Sequence, residues 1–313
     1  MRILPSALAL ALLIPIPAFS ATPAAPSAAP SAVPAPNIAP AAPRATFTGA
    51  YRETAVRMLA TGCPYADWAA QGRHFLFFDP AGDGRAAEVF GDLATARRIA
   101  ILVPGVDTTL VDFDRGLGGV ARRAPGVQGR TLYQQLSKRD RDVAVISWLG
   151  YDPPEGVGVA AATYGRARAG AESLTAFVGH IARQRPGAGI TLIGHSYGSL
   201  VVGLAAPGLP QVADLIALGS PGMGADHAAD LGGARVWSAL APHDWIRRIP
   251  QVRLFGLGLG KRPSAAGFGA YALPTDGVEG HDYYLTEGSA TLRAVTDIVL
   301  SGGPRHDSGA HVS

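Results

Sequence analysis

The 313-residue chain has a single cysteine, Cys63. With one thiol it can close no internal disulfide, so its core must hold by packing alone. Cys63 itself reads as a small buried apolar residue rather than a nucleophile. Charge is sparse as well. Ionised side chains make up 16% of the residues and the net charge is +3. The arginines are scattered rather than clustered, which argues against a nucleic-acid partner. There is no His-Glu-x-x-His and no Cys/His ligand set, so nothing points to a metal. Gly222-Met-Gly224 lacks the third glycine of a dinucleotide fingerprint, and Leu254 to Gly260 lacks its spacing. No cofactor is expected, and no segment repeats at a fixed period.

What is present begins with an export signal. Residues 1–20 carry Arg2, an apolar run from Ile3 to Phe19, and small residues suited to cleavage near Ser20. Pro5, Pro15 and Pro17 interrupt the run, and it is short for a bilayer span, so no integral membrane anchor is expected. Secretion or a cell-envelope location follows. Residues 21–45 are almost entirely Ala, Pro and Ser. Such a segment has too little large apolar surface to fold and reads as a disordered linker. Residues 46–303 are long enough for one large α/β domain, and residues 304–313 read as a disordered tail.

Within the domain, Thr48–Leu59 reads as a helix. Phe75–Asp79 and Ala86–Phe90, joined by Ala81-Gly-Asp-Gly84, read as a hairpin. Strands are expected at 98–103, 142–148, 190–193, 215–218 and 236–240. Helices are expected at 163–185, after Ser199, and at 290–300. The stretch 110–140 is expected to be helical in part, with breaks around 116–119 and 125–129. Strands alternating with helices imply a mostly parallel central sheet covered by helices on both faces, behind an N-terminal hairpin.

The organising stretch is Ile190-Thr-Leu-Ile-Gly-His-Ser-Tyr-Gly-Ser199. A β-branched run enters a Gly-x-Ser-x-Gly turn, and helix-like spacing follows, which is the layout of a nucleophile elbow. Glycines at 194 and 198 remove side chains that would crowd a serine held on a strained turn. The new helix points its first N–H groups toward that serine.

An activated serine needs a base, and the base needs an acid to orient it. The chain order on an elbow fold is Ser, Asp or Glu, then His. Of the later histidines, His281 lies in a loop before the final helix. His227 comes too early, His243 is a weaker choice, and His306 and His311 sit in the tail. Asp244, after the 236–240 strand, is the preferred acid, with Asp226 and Asp276 behind it. Asp282 adjoins His281 too closely to face it. The oxyanion donors should be the backbone N–H groups of Tyr197 and Val106, the latter in the loop after the 99–103 strand. Trp148, Tyr151, Trp245 and Phe268 could line a cleft or belong to the core.

Several blocks in order extend the match beyond the elbow. They are Gly91–Gly105, Trp148-Leu-Gly-Tyr-Asp-Pro-Pro154, Gly194–Ser199, Leu218-Gly-Ser-Pro-Gly222, Ala241-Pro-His-Asp244 and His281-Asp-Tyr-Tyr284. Over residues 75–300 the chain resembles an uncharacterised α/β-hydrolase family, known only as a domain of unknown function. The resemblance implies an α/β-hydrolase fold and a Ser-Asp-His hydrolase, and supplies no substrate. The family usually has a proline after the acid, and Trp245 stands there instead.

The expectation is an exported serine hydrolase in which Ser196, Asp244 and His281 cleave a small or lipid-like acyl ester. A peptidase or amidase on the same triad, or a non-catalytic cell-envelope protein that keeps the fold, are the alternatives. Oligomeric state cannot be read from the sequence.

Overall fold

The computed structural model describes residues 47–156, 158, 161, 163–249, 251 and 259–302. The expected signal peptide, linker and tail lie outside the described residues. Eight strands form one sheet: β1 (His74–Asp79), β2 (Arg85–Phe90), β3 (Arg98–Val103), β4 (Val143–Leu149), β5 (Gly189–His195), β6 (Val212–Leu218), β7 (Arg235–Ala239) and β8 (Tyr271–Ala272). Their spatial order is β1-β2-β4-β3-β5-β6-β7-β8. The pairs β1–β2 and β2–β4 are antiparallel. From β4 to β8 every pairing is parallel.

The apolar runs explain which strands are central. Every residue of β4 and β6 is buried, as expected where both faces of a parallel sheet are covered. Alternation along β3 then divides the core. Ile99, Ile101 and Val103 face one layer, while Ala100 and Leu102 face the other. Helices α4 (Gly165–Gln184) and α5 (Gly198–Ala205) cover the first face through Leu174, Val178, Ile181, Leu200 and Val201. Helices α3 (Pro125–Ser137) and α6 (Ala290–Ser301) cover the second through Leu132, Leu136, Leu292, Val295 and Val299. Each large aliphatic side chain so buried contributes about 1.5–3 kcal/mol. Helices α1 (Phe47–Thr61) and α2 (Tyr65–Ala70) close the β1 edge around Met58, Trp68, Phe75 and Phe78.

Two expectations need correction, and one left open is decided. The stretch 125–129 is no break: Pro125 opens α3, where its missing N–H costs nothing. Gly129 lies inside that helix because a Cβ there would stand 2.0 Å from Ser147 Oγ on β4. Cys63 is exposed rather than buried. Its thiol contacts Asp67 Oδ1 at 3.7 Å, and that carboxylate pushes its pKa up, which makes it a poorer nucleophile. Trp148, Tyr151 and Phe268 are core residues, 2% exposed or less, so of the four aromatics only Trp245 is free to meet a ligand.

Candidate active site

Strand β5 ends at His195, and the chain turns sharply into α5. Ser196 carries the turn with φ +53°, a left-handed conformation that side chains seldom adopt. Its N–H donates to Leu218 O at 2.8 Å, tying the elbow to the end of β6. The two flanking glycines are needed for different reasons. A Cβ on Gly194 would meet Ser199 Cα at 2.4 Å, where the helix returns past the strand. A Cβ on Gly198 would meet Val103 O at 2.2 Å, at the end of β3. Ser199 Oγ donates to Ser196 O at 2.5 Å and lies 2.6 Å from Ser220 Oγ, which accepts from the Gly222 N–H. The Leu218–Gly222 block thus supports the elbow from below.

Asp244 lies past β7 and caps a short 3-10 turn, Trp245–Arg248, by accepting from the Ile246 N–H at 2.8 Å. The carboxylate is 2% exposed. His281 Nδ1 stands 3.0 Å from each of its oxygens. A carboxylate only accepts, so Nδ1 carries the proton and Nε2 is left as the basic nitrogen. Burial pushes the Asp244 carboxyl up. The bond and charge of His281, and bonds from Tyr284 and the Ile246 N–H, outweigh this and hold it below the ordinary carboxylate range. The group therefore stays ionised where it can hold an imidazolium.

Three further residues complete the surroundings, and none received a role from the sequence. Tyr284 donates to Asp244 Oδ2 at 2.5 Å and accepts from the Ala241 N–H at 3.0 Å. Gly219, at φ +57°, clears the space for the pair. A Cβ there would come within 2.8 Å of Asp244 Oδ2 and 2.9 Å of His281 Nδ1. His195 donates from Nε2 to His281 O at 2.8 Å, and its ring lies 4.7 Å from that of His281. Burial and the neighbouring imidazole lower its pKa to about 4, so it remains neutral. Tyr284 and Gly219 did stand in blocks that carried the family resemblance, and His195 stood in the elbow itself. That was the only signal for any of them.

The structure brings Asp244 and His281 together, beside His195 and hence one residue from Ser196. No hydrogen bond joins Ser196 Oγ to His281 among the described residues. Such bonds are often long in unliganded sites and tighten around substrate. Trp245, 38% exposed, places its ring 4.9 Å from that of His281. The other candidates are elsewhere. His243 is exposed. His227 is engaged with Gly267 O at 3.1 Å. Asp226 accepts from the Lys261 N–H, Asp276 is exposed, and Asp282 accepts from Arg123 at 2.7 Å.

Tyr197 N–H opens the first turn of α5. Across from it the segment after β3 runs against the serine: a Cβ on Gly105 would meet Ser196 Cβ at 2.7 Å. Val106 follows. Neither the Tyr197 nor the Val106 N–H has a hydrogen-bond acceptor among the described residues.

A family model described as Alpha/beta hydrolase matches residues 79–254. The chain belongs to the alpha/beta-hydrolase family. The matched span contains Ser196 and Asp244 and stops short of His281. An uncharacterised Mycobacterium tuberculosis protein is 32% identical over 285 residues, covering 76% of this hydrolase-family chain and 42% of its own. An uncharacterised protein of Mycobacterium bovis is 34% identical over 201 residues, 60% of this chain and 73% of its own. The chain thus spans about two-fifths of the first of these relatives. Solved structures of similar course include esterase PE8 (14% identical, TM-score 0.43, 70% of this chain and 99% of that one). Another is an α/β serine hydrolase without a lid from Xanthomonas campestris (15% identical, TM-score 0.38, 74% of this chain and 93% of that one). Both TM-scores lie below 0.5.

Proposed function

We propose that this member of the family is an exported serine hydrolase that cleaves a carboxylic ester of a small or lipid-like acyl group. The observation that carries the reading is the buried Asp244–His281 pair, 3.0 Å apart, beside a serine on a left-handed elbow. Ser196 Oγ forms a bond to the acyl carbon while its proton passes to His281 Nε2. The carbonyl electron pair moves onto oxygen, where the Tyr197 and Val106 N–H groups receive it. Collapse expels the alcohol, which takes the proton from His281, and leaves an acyl-enzyme on Ser196. Water, deprotonated by the same imidazole, releases the acid. Asp244 holds the imidazole in the reactive tautomer and stabilises its charged form. Export is supported by the N-terminal sequence, with its basic start, apolar run and small residues at the cleavage region.

The test is hydrolysis of matched ester and anilide substrates of increasing acyl length. Wild type should turn over the esters faster than the anilides. Ser196→Ala should lose on the order of 10⁴-fold in kcat, with Asp244→Asn losing up to about as much. Full activity in Ser196→Ala would end the reading, and faster anilide hydrolysis would make the protein an amidase.

A further inference from the structure

Among the described residues, two other than glycine take the left-handed backbone conformation. They are Ser196, at φ +53°, and Asp107, at φ +58°. The elbow explains the first. The serine mechanism gives no account of the second. Asp and Asn tolerate this conformation better than other side chains, yet it persists only where the surroundings impose it, and such residues gather at functional sites.

The surroundings of Asp107 come chiefly from one segment, residues 151–156, which follows β4. The Gly156 N–H donates to Asp107 Oδ1 at 2.6 Å. The Asp107 N–H donates to Pro154 O at 3.1 Å. Tyr151 donates from its hydroxyl to Pro104 O at 2.6 Å. This segment overlaps the Trp148–Pro154 block, for which the mechanism has no use. It is well anchored at its start. Tyr151 is 2% exposed and stacks on Trp148 at 6.1 Å. Gly150 lies so close to that indole that a Cβ would stand 2.3 Å from it, and Gly170 of α4 presses on the Tyr151 ring. On its other side the 104–107 segment meets Ser196 through Gly105. Val106 is therefore held between an anchored bracket and the serine, with its N–H free of any acceptor among the described residues.

We propose that Asp107 is a positioning residue: its carboxylate, bonded to the Gly156 N–H, locks the turn that aims the Val106 N–H at the acyl oxygen. This rests on the serine-hydrolase reading and on Val106 as an oxyanion donor. Asp107 touches no reacting atom. It acts by fixing a donor in advance of the transition state, where geometry rather than binding strength limits the rate.

The test uses Asp107→Ala, Asp107→Gly and Asp107→Asn in the full chain, with p-nitrophenyl butyrate as substrate. An alkyl boronic acid serves as a mimic of the tetrahedral intermediate. Removing the carboxylate should lower kcat by roughly tenfold to a hundredfold, less than the ~10²–10³-fold typical of deleting a donor outright. KM should move by no more than about twofold, and boronate affinity should fall by the same factor as kcat/KM. Asp107→Asn keeps an acceptor oxygen and tolerates the left-handed turn, so it should stay near wild type. Strain could unfold Asp107→Ala, but glycine bears none at this φ, and Asp107→Gly keeps the question decidable. Wild-type kcat and boronate affinity in Asp107→Gly would overturn the proposal, as would an Asp107→Asn variant as impaired as Asp107→Gly. Ser196→Ala, assayed alongside, separates the two layers. Activity there sinks the serine-hydrolase reading itself, whereas an active Asp107→Gly beside a dead Ser196→Ala sinks only the role of Asp107.

Discussion

The Tyr284 hydroxyl donates to the same Asp244 oxygen, Oδ2, that lies 3.0 Å from His281 Nδ1. The carboxylate is therefore held by an imidazole, a phenol and a backbone N–H together, in a pocket that admits almost no water. Burial and the bond to Asp244 push the Tyr284 hydroxyl well above its ordinary pKa, so it donates at every physiological pH.

Tyr284→Phe should lower the melting temperature at neutral pH, because a hydrogen bond to a charged group contributes about 1.5–3 kcal/mol. Its pH dependence has a definite sign. The Asp244 carboxyl lies below its ordinary value when folded, so the unfolded chain binds the proton first on acidification. That stabilisation is complete above the ordinary carboxylate pKa of ~3.9 and is lost as pH falls through the lowered value. Without Tyr284 the folded carboxyl titrates closer to the unfolded one, so the acid loss should begin at the same pH but be smaller and end at higher pH. Melting curves collected from neutral to acid pH check this, and superimposable profiles would remove Tyr284 from the account.

His195 supplies a second, separable acid effect. Folded, it protonates only near about 4, while the unfolded imidazole takes its proton near ~6.5. Between those values the unfolded chain alone is protonated, so stability falls as pH drops through this window. His195→Gln keeps a donor for His281 O without a titrating ring. Its melting temperature should vary less than wild type over the same window. An identical slope would mean that His195 contributes nothing to the acid sensitivity.

Gly219→Ala should abolish turnover. The added methyl falls against Asp244 Oδ2 and His281 Nδ1, and the position also needs a positive φ. A loss of at least ~10²-fold in kcat is expected, since small misplacements of reacting groups cost about that much. An active Gly219→Ala enzyme with a folded far-ultraviolet spectrum would mean the pair can relax away.

Trp245 offers an exposed aromatic face beside His281. Trp245→Ala should raise KM for aromatic or long-chain esters by roughly fivefold to thirtyfold, the equivalent of about 1–2 kcal/mol of contact. For an acetyl ester, kcat should change little. Equal effects on small and large esters would assign Trp245 to loop structure instead.

The fold class was legible because its signals are local. Continuous β-branched runs such as Arg98–Val103 and Val143–Leu149 mark strands covered on both faces, and the elbow lies between one of them and a helix. Chain order singled out Asp244 and His281, which the structure places in contact. What escaped depends on partners far apart in sequence. Nothing near Tyr284 tells that its hydroxyl reaches a carboxylate 40 residues earlier. Gly129 looks like a break until α3 is seen against β4. The two-residue β8 carries no periodicity at all, and it exists only because Tyr271 and Ala272 pair with Trp237 and Ser238. Cys63 lies between Gly62 and Pro64 at the α1–α2 turn, and composition alone could not show that this turn faces solvent.

The central claim is that Ser196 is the activated nucleophile, and covalent labelling tests it most directly. The wild-type chain, treated with a fluorophosphonate and digested, should carry one adduct, on the peptide containing Ser196. Ser196→Ala should carry none, and Asp244→Asn should label far more slowly. A wild-type protein that takes up no probe, or takes it up at another residue, would contradict the account.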